Sequence, residues 1–99
     1  MSFHIIVRFE PKPGEEAAFR EEILRVTAVT RTESDCLAMH VFESIRQPVR
    51  FAIHSEWTDE EAFERHSVMA HTVRFLEAAR DLLTHPVEGL RLREMASSE

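Results

Sequence analysis

The chain has 99 residues, which is the size of one domain with a single hydrophobic core. Its 18 acidic and 12 basic residues give a net charge of −6 at neutral pH, which argues against nucleic acid and anionic membranes as partners. A single cysteine, Cys36, cannot form a disulfide within the chain. The amino terminus shows no signal-peptide pattern and no apolar run could span a bilayer, so we expect a cytoplasmic protein.

The first third of the sequence predicts a strand and then a helix. Residues 3–10 alternate between two sets of side chains with a period of two, as a half-buried strand does. Residues 11–14 break this pattern with two prolines and a glycine. From Glu15 to about Thr30 the period becomes helical, and its apolar stripe consists of Phe19, Ile23 and Val26. The polar residues 33–35 then predict a turn.

A hairpin follows, because residues 37–42 and 51–57 both alternate with a period of two. The short connection between them suits antiparallel strands. If the turn centres on Gln47, His40 and His54 lie directly opposite each other.

The last third of the sequence predicts two helical stretches and a final strand. Thr58 followed by Glu61 forms a capping-box pattern, so a helix is expected from there to about Ala70. A further helical stretch covers residues 72–83, and residues 87–95 alternate as a strand.

The resulting order, β-α-β-β-α-β, predicts an α+β ferredoxin-like fold with a four-stranded antiparallel sheet and its helices on one face. We expect one domain over residues 1–95 and a frayed tail over residues 96–99. The strands carry large apolar side chains on both faces, such as Ile6 and Phe42 on one face and Phe9 and Val41 on the other, so the face without helices also bears apolar residues. Such a face favours a homodimer packed sheet against sheet, a dimeric α/β barrel.

Several segments, in this order along the chain, resemble the antibiotic biosynthesis monooxygenase family. They are Phe3 to Phe9 with Pro13-Gly14, Thr30 to Glu33 with Cys36-Leu37, Phe51 to Asp59, and His66 and His71 ahead of Phe75. The resemblance implies a dimeric ferredoxin-like protein. The family includes cofactor-independent quinol or polyketide monooxygenases, haem-degrading enzymes and an isomerase of phosphorylated sugars, so the resemblance narrows the fold more than the reaction. Where the haem-degrading enzymes have their axial histidine this chain has Leu76, which disfavours haem unless His71 takes that place.

From the resemblance we expect a monooxygenase that acts on a quinol-like or polyketide-like aromatic without a bound cofactor. Such an enzyme needs a base near pH 7, a hydrogen-bond donor for the developing anion and a dry apolar cavity. The expected catalytic residues are His66 as the base, His71, and Glu56 as the group that orients an imidazole. The expected substrate-binding residues are Trp57, His54, His40, Arg31 and Phe75.

His66 and His71 are five positions apart, about 140° around a helix, so they can act together only if the helix breaks near residues 68–70 or the pocket wraps around the helix. A structural role, with each imidazole hydrogen-bonded to the sheet, is the alternative interpretation. His40, His54 and Glu56 could instead form a metal site with two histidines and one carboxylate.

Two other functions remain open at this point. The same histidines and glutamate would serve an isomerase that shuttles a proton α to a carbonyl, with Arg31 holding a phosphate. A non-catalytic dimeric module that binds a small molecule would need only the cavity.

Overall fold

A four-stranded antiparallel sheet carries three helices on one face, in a computed structural model that describes residues 2–96. The strands are β1 (Phe3–Phe9), β2 (Cys36–Glu43), β3 (Phe51–Trp57) and β4 (Gly89–Leu92), and the helices are α1 (Glu16–Thr30), α2 (Glu60–Ser67) and α3 (Ala70–Arg80). The strand order in the sheet is β2-β3-β1-β4. The predicted ferredoxin-like α+β fold is therefore confirmed.

The hydrophobic core lies between the sheet and the helices. Alternate residues of β3 are buried, and two of them pair with buried residues of β1, as Phe51 does with Phe9. Phe19 and Ile23 of α1 are fully buried against this surface. The alternation predicted for the first strand and the apolar stripe predicted for the first helix therefore both describe core positions.

The other face of the sheet, which we call the open face, has no helix covering it within the described residues. It carries large apolar side chains, among them Phe42 and Leu90, which are 56% and 61% exposed. Ile6 lies between them on β1, paired with Leu90 of β4 and with His54 of β3. This face thus carries some large apolar side chains, as the sequence predicts.

The second helical region is broken near residues 68–70, which is one of the two arrangements that would let His66 and His71 act together. Helix α2 ends at Ser67 and α3 begins at Ala70, with Val68 and Met69 as the flanking residues of the two helices. The predicted break near residues 68–70 is confirmed, and it allows His66 and His71 to approach each other from two helices.

The start of α2 differs by one residue from the predicted capping box. The N-cap is Asp59 rather than Thr58, and its carboxylate accepts a hydrogen bond from the Ala62 N–H at 2.8 Å. An aspartate in an extended conformation caps at least as well as a threonine, so the helix starts after Asp59. The Thr58 hydroxyl contacts Asp35 instead, at 3.5 Å.

Two further boundaries are corrected. Helix α3 ends at Arg80 rather than at Leu83, because Leu83 leaves the helix to bridge with Pro11. The last strand covers four residues, Gly89–Leu92, rather than residues 87–95. Of the predicted frayed tail, residues 97–99 lie outside the described residues. No helix in residues 2–96 is long and apolar enough to cross a membrane.

The cap assignment predicts the effect of two neighbouring substitutions. Asp59→Ala removes the acceptor for the Ala62 N–H and should lower the free energy of unfolding by about 1 kcal/mol. Thr58→Ala is the matched control and should cost less than about 0.5 kcal/mol. Urea unfolding followed by circular dichroism measures both, and a larger effect at Thr58 would restore the capping-box interpretation.

Candidate active site

A cavity of about 250 Å³ lies between the sheet and the helices. Most of its wall is apolar and comes from all four strands and all three helices. The apolar lining includes Ile5, Val7, Phe9, Met39, Ile53, Val26, Phe63, Phe75 and Leu76. The polar side chains that reach it include Thr27, Thr30, Ser55, Thr72 and His66. The cavity thus combines an apolar wall with a few polar groups, which is typical of a small-molecule site.

His66 of α2 is held in one orientation in this cavity. Its side chain is only 10% exposed, and its Nδ1 lies 2.8 Å from Oε2 of Glu33. The imidazole packs against the rings of Trp57 and Phe63, with centroid distances of 4.6 and 5.7 Å. The hydrogen bond and the two aromatic contacts fix the ring.

Glu33 also holds His71, and it does so with the same oxygen atom. Nε2 of His71 lies 2.8 Å from Oε2 of Glu33, and the two imidazole centroids are 5.8 Å apart. The three side chains are between 10% and 19% exposed. One carboxylate oxygen therefore joins two imidazoles that come from opposite sides of the helix break.

The surroundings of His66 favour its neutral form. Burial lowers the pKa of His66 below its ordinary value of 6.5, against the hydrogen bond and the charge of Glu33, which raise it. Because a carboxylate oxygen accepts hydrogen bonds, Nδ1 carries the imidazole proton. Nε2 is then left with a lone pair, and the Thr72 hydroxyl lies 3.5 Å from it. A neutral imidazole whose Nε2 carries no proton can accept one.

Two more of the predicted site residues lie beside His66. Trp57 is fully buried, contacts the His66 ring and donates through Nε1 to the Ser55 hydroxyl at 3.0 Å. Phe75 of α3 forms part of the cavity wall. The structure therefore brings together four of the eight predicted site residues, namely His66, His71, Trp57 and Phe75.

The predicted contact between Glu56 and an imidazole of this site is wrong. Successive side chains of a strand point to opposite faces, and in β3 Ser55 and Trp57 are buried beneath the helices. Glu56 therefore lies on the open face, and Glu33 takes the orienting position that was expected of it.

His40 and His54 also lie on the open face, away from the cavity. They are directly opposite each other, as the hairpin register predicts, with ring centroids 6.2 Å apart. The third member of this row is His4, whose Nδ1 lies 3.0 Å from Nε2 of His54. In the described part of the chain, His40, His54 and Glu56 are not among the groups whose ligand atoms converge on one point. The alternative metal site at these residues is therefore not assembled.

Arg31 does not reach the cavity either. Its guanidinium donates to the backbone carbonyl of Met39, at 2.9 Å from Nη2 and 3.3 Å from Nε, and the residue is exposed. The predicted role of Arg31 in holding a substrate is contradicted by this position.

A larger hollow, of about 720 Å³, opens on the other side of the sheet. Its ionisable side chains include Arg50, which pairs with Glu10 at 3.0 Å, and His85, which is 51% exposed. Proton transfer in a site that excludes water needs a buried ionisable side chain. Of these two cavities, the smaller one supplies such a side chain in His66.

The profile of the family described as antibiotic biosynthesis monooxygenase matches residues 2–85. This chain belongs to the antibiotic biosynthesis monooxygenase family. A relative in Bacillus subtilis (strain 168), named "Putative monooxygenase YcnE", is 26% identical over 80 residues, which is 81% of this chain and 84% of that protein. The resemblance found in the sequence is confirmed.

Solved structures share the fold of this family member. Rv0793 from Mycobacterium tuberculosis superimposes with a TM-score of 0.90 at 22% identity, over 100% of both chains. SnoaB, a cofactor-independent oxygenase from Streptomyces nogalater, superimposes with a TM-score of 0.84 at 18% identity, over 98% of this chain and 96% of that one. At such identities the likeness shows the fold alone.

The burial of His66 predicts how the stability of this family member depends on pH. Because the folded state lowers the pKa of His66 below 6.5, the unfolded chain binds more protons once the pH falls below 6.5. The contribution of His66 is thus fully present above that value and is lost as the pH falls through the folded-state pKa. Urea unfolding of chelator-treated protein between about pH 7.5 and pH 5 measures this loss.

Two variants isolate the contribution of His66 from that of the carboxylates. His66→Gln should flatten the pH dependence between about pH 6.5 and pH 5, whereas Leu24→Gln, which replaces an exposed apolar side chain that does not titrate, should leave it as in the wild type. An unchanged slope in His66→Gln would contradict the assignment.

Proposed function

We propose that this protein is a small cofactor-independent monooxygenase that acts on a quinol-like or polyketide-like aromatic. The observation that carries the proposal is the buried imidazole of His66, which is neutral at pH 7, fixed by Glu33 and placed in an apolar cavity. Membership of the family, the name of the Bacillus subtilis relative and the fold shared with SnoaB support an oxygenase.

His66 starts the reaction as the base. Its Nε2 takes a proton from the substrate, and the resulting anion transfers electrons to O2 and combines with it. One oxygen atom enters the product, and the other leaves as water with two hydrogens from the substrate. No external reductant is needed, because the substrate supplies all the electrons. The imidazolium formed in the first step is stabilised by the carboxylate of Glu33, only 2.8 Å from Nδ1.

The hydroxyl groups of the cavity can stabilise the anion. Those of Thr27 and Thr30 donate to backbone carbonyls of their own helix, at 3.1 and 2.7 Å. The Ser55 hydroxyl accepts from Trp57 and keeps its own proton for donation, and the Thr72 hydroxyl lies beside the His66 ring. Ser55 and Thr72 are therefore the donors that we assign to the developing oxyanion.

The volume of the cavity limits the size of the substrate that can bind. Its volume of about 250 Å³ lies just below the usual range for ligand pockets, which is about 300–1,000 Å³. A hydroquinone of one or two rings suits such a cavity better than a larger polyketide.

No observation favours the isomerase of a phosphorylated substrate. That reaction needs a cation for the phosphate, and Arg31 lies outside the cavity. The cavity residue Arg91 is already paired with Glu60 and Glu64. An isomerase and a non-catalytic binding module would both leave O2 unconsumed, so oxygen uptake distinguishes the proposed monooxygenase from them.

We also propose that two copies pair through their open faces. The large apolar side chains there, Phe42 and Leu90 among them, are more than half exposed in a single chain. Members of this family are known as dimers of this kind. In such a dimer the open face of each copy would cover the open face of the other.

Oxygen uptake tests the proposed reaction. Chelator-treated protein is mixed with a panel of hydroquinones and anthrone-like phenols, and O2 consumption is followed with an electrode. We expect uptake with at least one small hydroquinone, and His66→Ala should lower the rate about a hundredfold or more. His85→Ala is the control and should keep the wild-type rate. Full activity in His66→Ala would refute the base, and binding without uptake across the panel would favour a binding module.

The role of Glu33 as a positioning residue has its own signature. Glu33→Gln should lower the rate about tenfold or more, because the imidazolium loses a charged partner. Since Glu33 raises the pKa of His66, its removal should also shift the acidic limb of the pH–rate profile to lower pH. A lower rate with an unchanged profile would mean that Glu33 has only a structural role.

Sedimentation velocity at micromolar concentration tests the dimer. The wild type should sediment as a dimer and Phe42→Glu as a monomer, because a charge on the open face would be buried without a partner. Leu24→Glu changes a residue of α1 that is 55% exposed on the helical side, and it should leave the dimer intact. A monomeric wild type would refute the proposal.

A further inference from the structure

We propose that Glu33, His66 and His71 also form a binding site for a divalent transition-metal ion such as Zn²⁺ or Co²⁺. One atom from each side chain can serve as a ligand, and these atoms all lie within 4.8 Å of one another. Two imidazoles and one carboxylate are a ligand set that such ions use in proteins.

The present distances are close to those that a metal ion needs. Oε2 of Glu33 lies 2.8 Å from Nδ1 of His66 and from Nε2 of His71. With metal–ligand bonds of about 2.0–2.2 Å, neighbouring ligand atoms of a tetrahedral site are about 3.3–3.5 Å apart. Each imidazole nitrogen needs to move away from Oε2 of Glu33 by only about 0.5–0.7 Å to admit the ion.

The three ligands are also held in place before any ion binds. They come from the turn after α1, from α2 and from α3, and all are less than one-fifth exposed. The ring of His66 is further fixed by Trp57 at a centroid distance of 4.6 Å. Three protein ligands leave at least one coordination position for water or a small molecule.

Metal binding would change the chemistry of His66. A metal ion on Nδ1 displaces the proton from that atom, and the neutral imidazole then carries its proton on Nε2. Nε2 is the atom proposed to accept the substrate proton, so the metal-loaded protein should be inactive. This consequence, unlike the binding itself, rests on the proposed function.

Binding is measured without reference to activity. Chelator-treated protein is titrated with Co²⁺, whose visible absorption reports its coordination, and with Zn²⁺ in a calorimeter. Trp57, the single tryptophan of the chain, gives a second signal through its fluorescence. We expect one ion per chain, with binding weakened at least tenfold in both Glu33→Gln and His71→Ala. Circular dichroism checks that each variant is folded.

The row of histidines on the open face provides the control. His54→Ala removes its central imidazole and should leave the affinity unchanged. Absence of binding to the wild type, or binding lost in His54→Ala and kept in both Glu33→Gln and His71→Ala, would overturn the proposal.

Oxygen uptake with and without Zn²⁺ then separates the two proposals. Zn²⁺ should abolish the uptake of the wild type, and a chelator should restore it. Metal binding in a protein that never consumes O2 would refute the proposed function and leave the metal site standing. Oxygen uptake by a protein that binds no metal would refute the metal site and leave the proposed function standing. Stimulation of uptake by Zn²⁺ would refute the prediction that the bound metal inhibits the enzyme.

Discussion

One carboxylate oxygen, Oε2 of Glu33, holds the candidate site together. It joins the turn after α1 to α2 through His66 and to α3 through His71. A carboxylate that is only 11% exposed loses much of its hydration, and hydrogen bonds from the protein must replace it. The two imidazole N–H groups do so, and in return each imidazole has one nitrogen fixed. The orientation of His66 in its cavity is therefore set by a residue that does not line the cavity.

Most of the fold could be predicted from the sequence, because the alternation of apolar residues depends on local geometry. The period of two located three of the four strands closely, and the symmetric hairpin placed His40 opposite His54. The spacing of His66 and His71 left two possibilities, a helix break or a pocket wrapped around the helix, and the structure contains the break. The helix start was predicted one residue too early, because Thr58 and Asp59 are adjacent and either side chain can cap a helix. Only the backbone conformation determines which of the two is the N-cap.

The site could be predicted only in part. Glu56 could have been excluded from the sequence, because neighbouring residues of a strand point to opposite faces and its neighbour Trp57 is a large apolar residue, which the structure shows buried beneath the helices. Glu33 is different, because its partners are 33 and 38 residues further along the chain. Which acid meets the two histidines depends on how the turn after α1 packs against the break between α2 and α3. That packing is tertiary, and no local pattern records it.

The connection between α2 and α3 has a consequence for how this protein can change in evolution. Val68 and Met69 are 76% and 38% exposed, so their side chains are open to substitution. The number of residues is constrained far more strictly, since an added residue would lengthen the connection and change the position and direction of α3 relative to α2. His71 would then point away from Glu33. Related sequences that keep this site should therefore vary in composition at the break and be constant in its length.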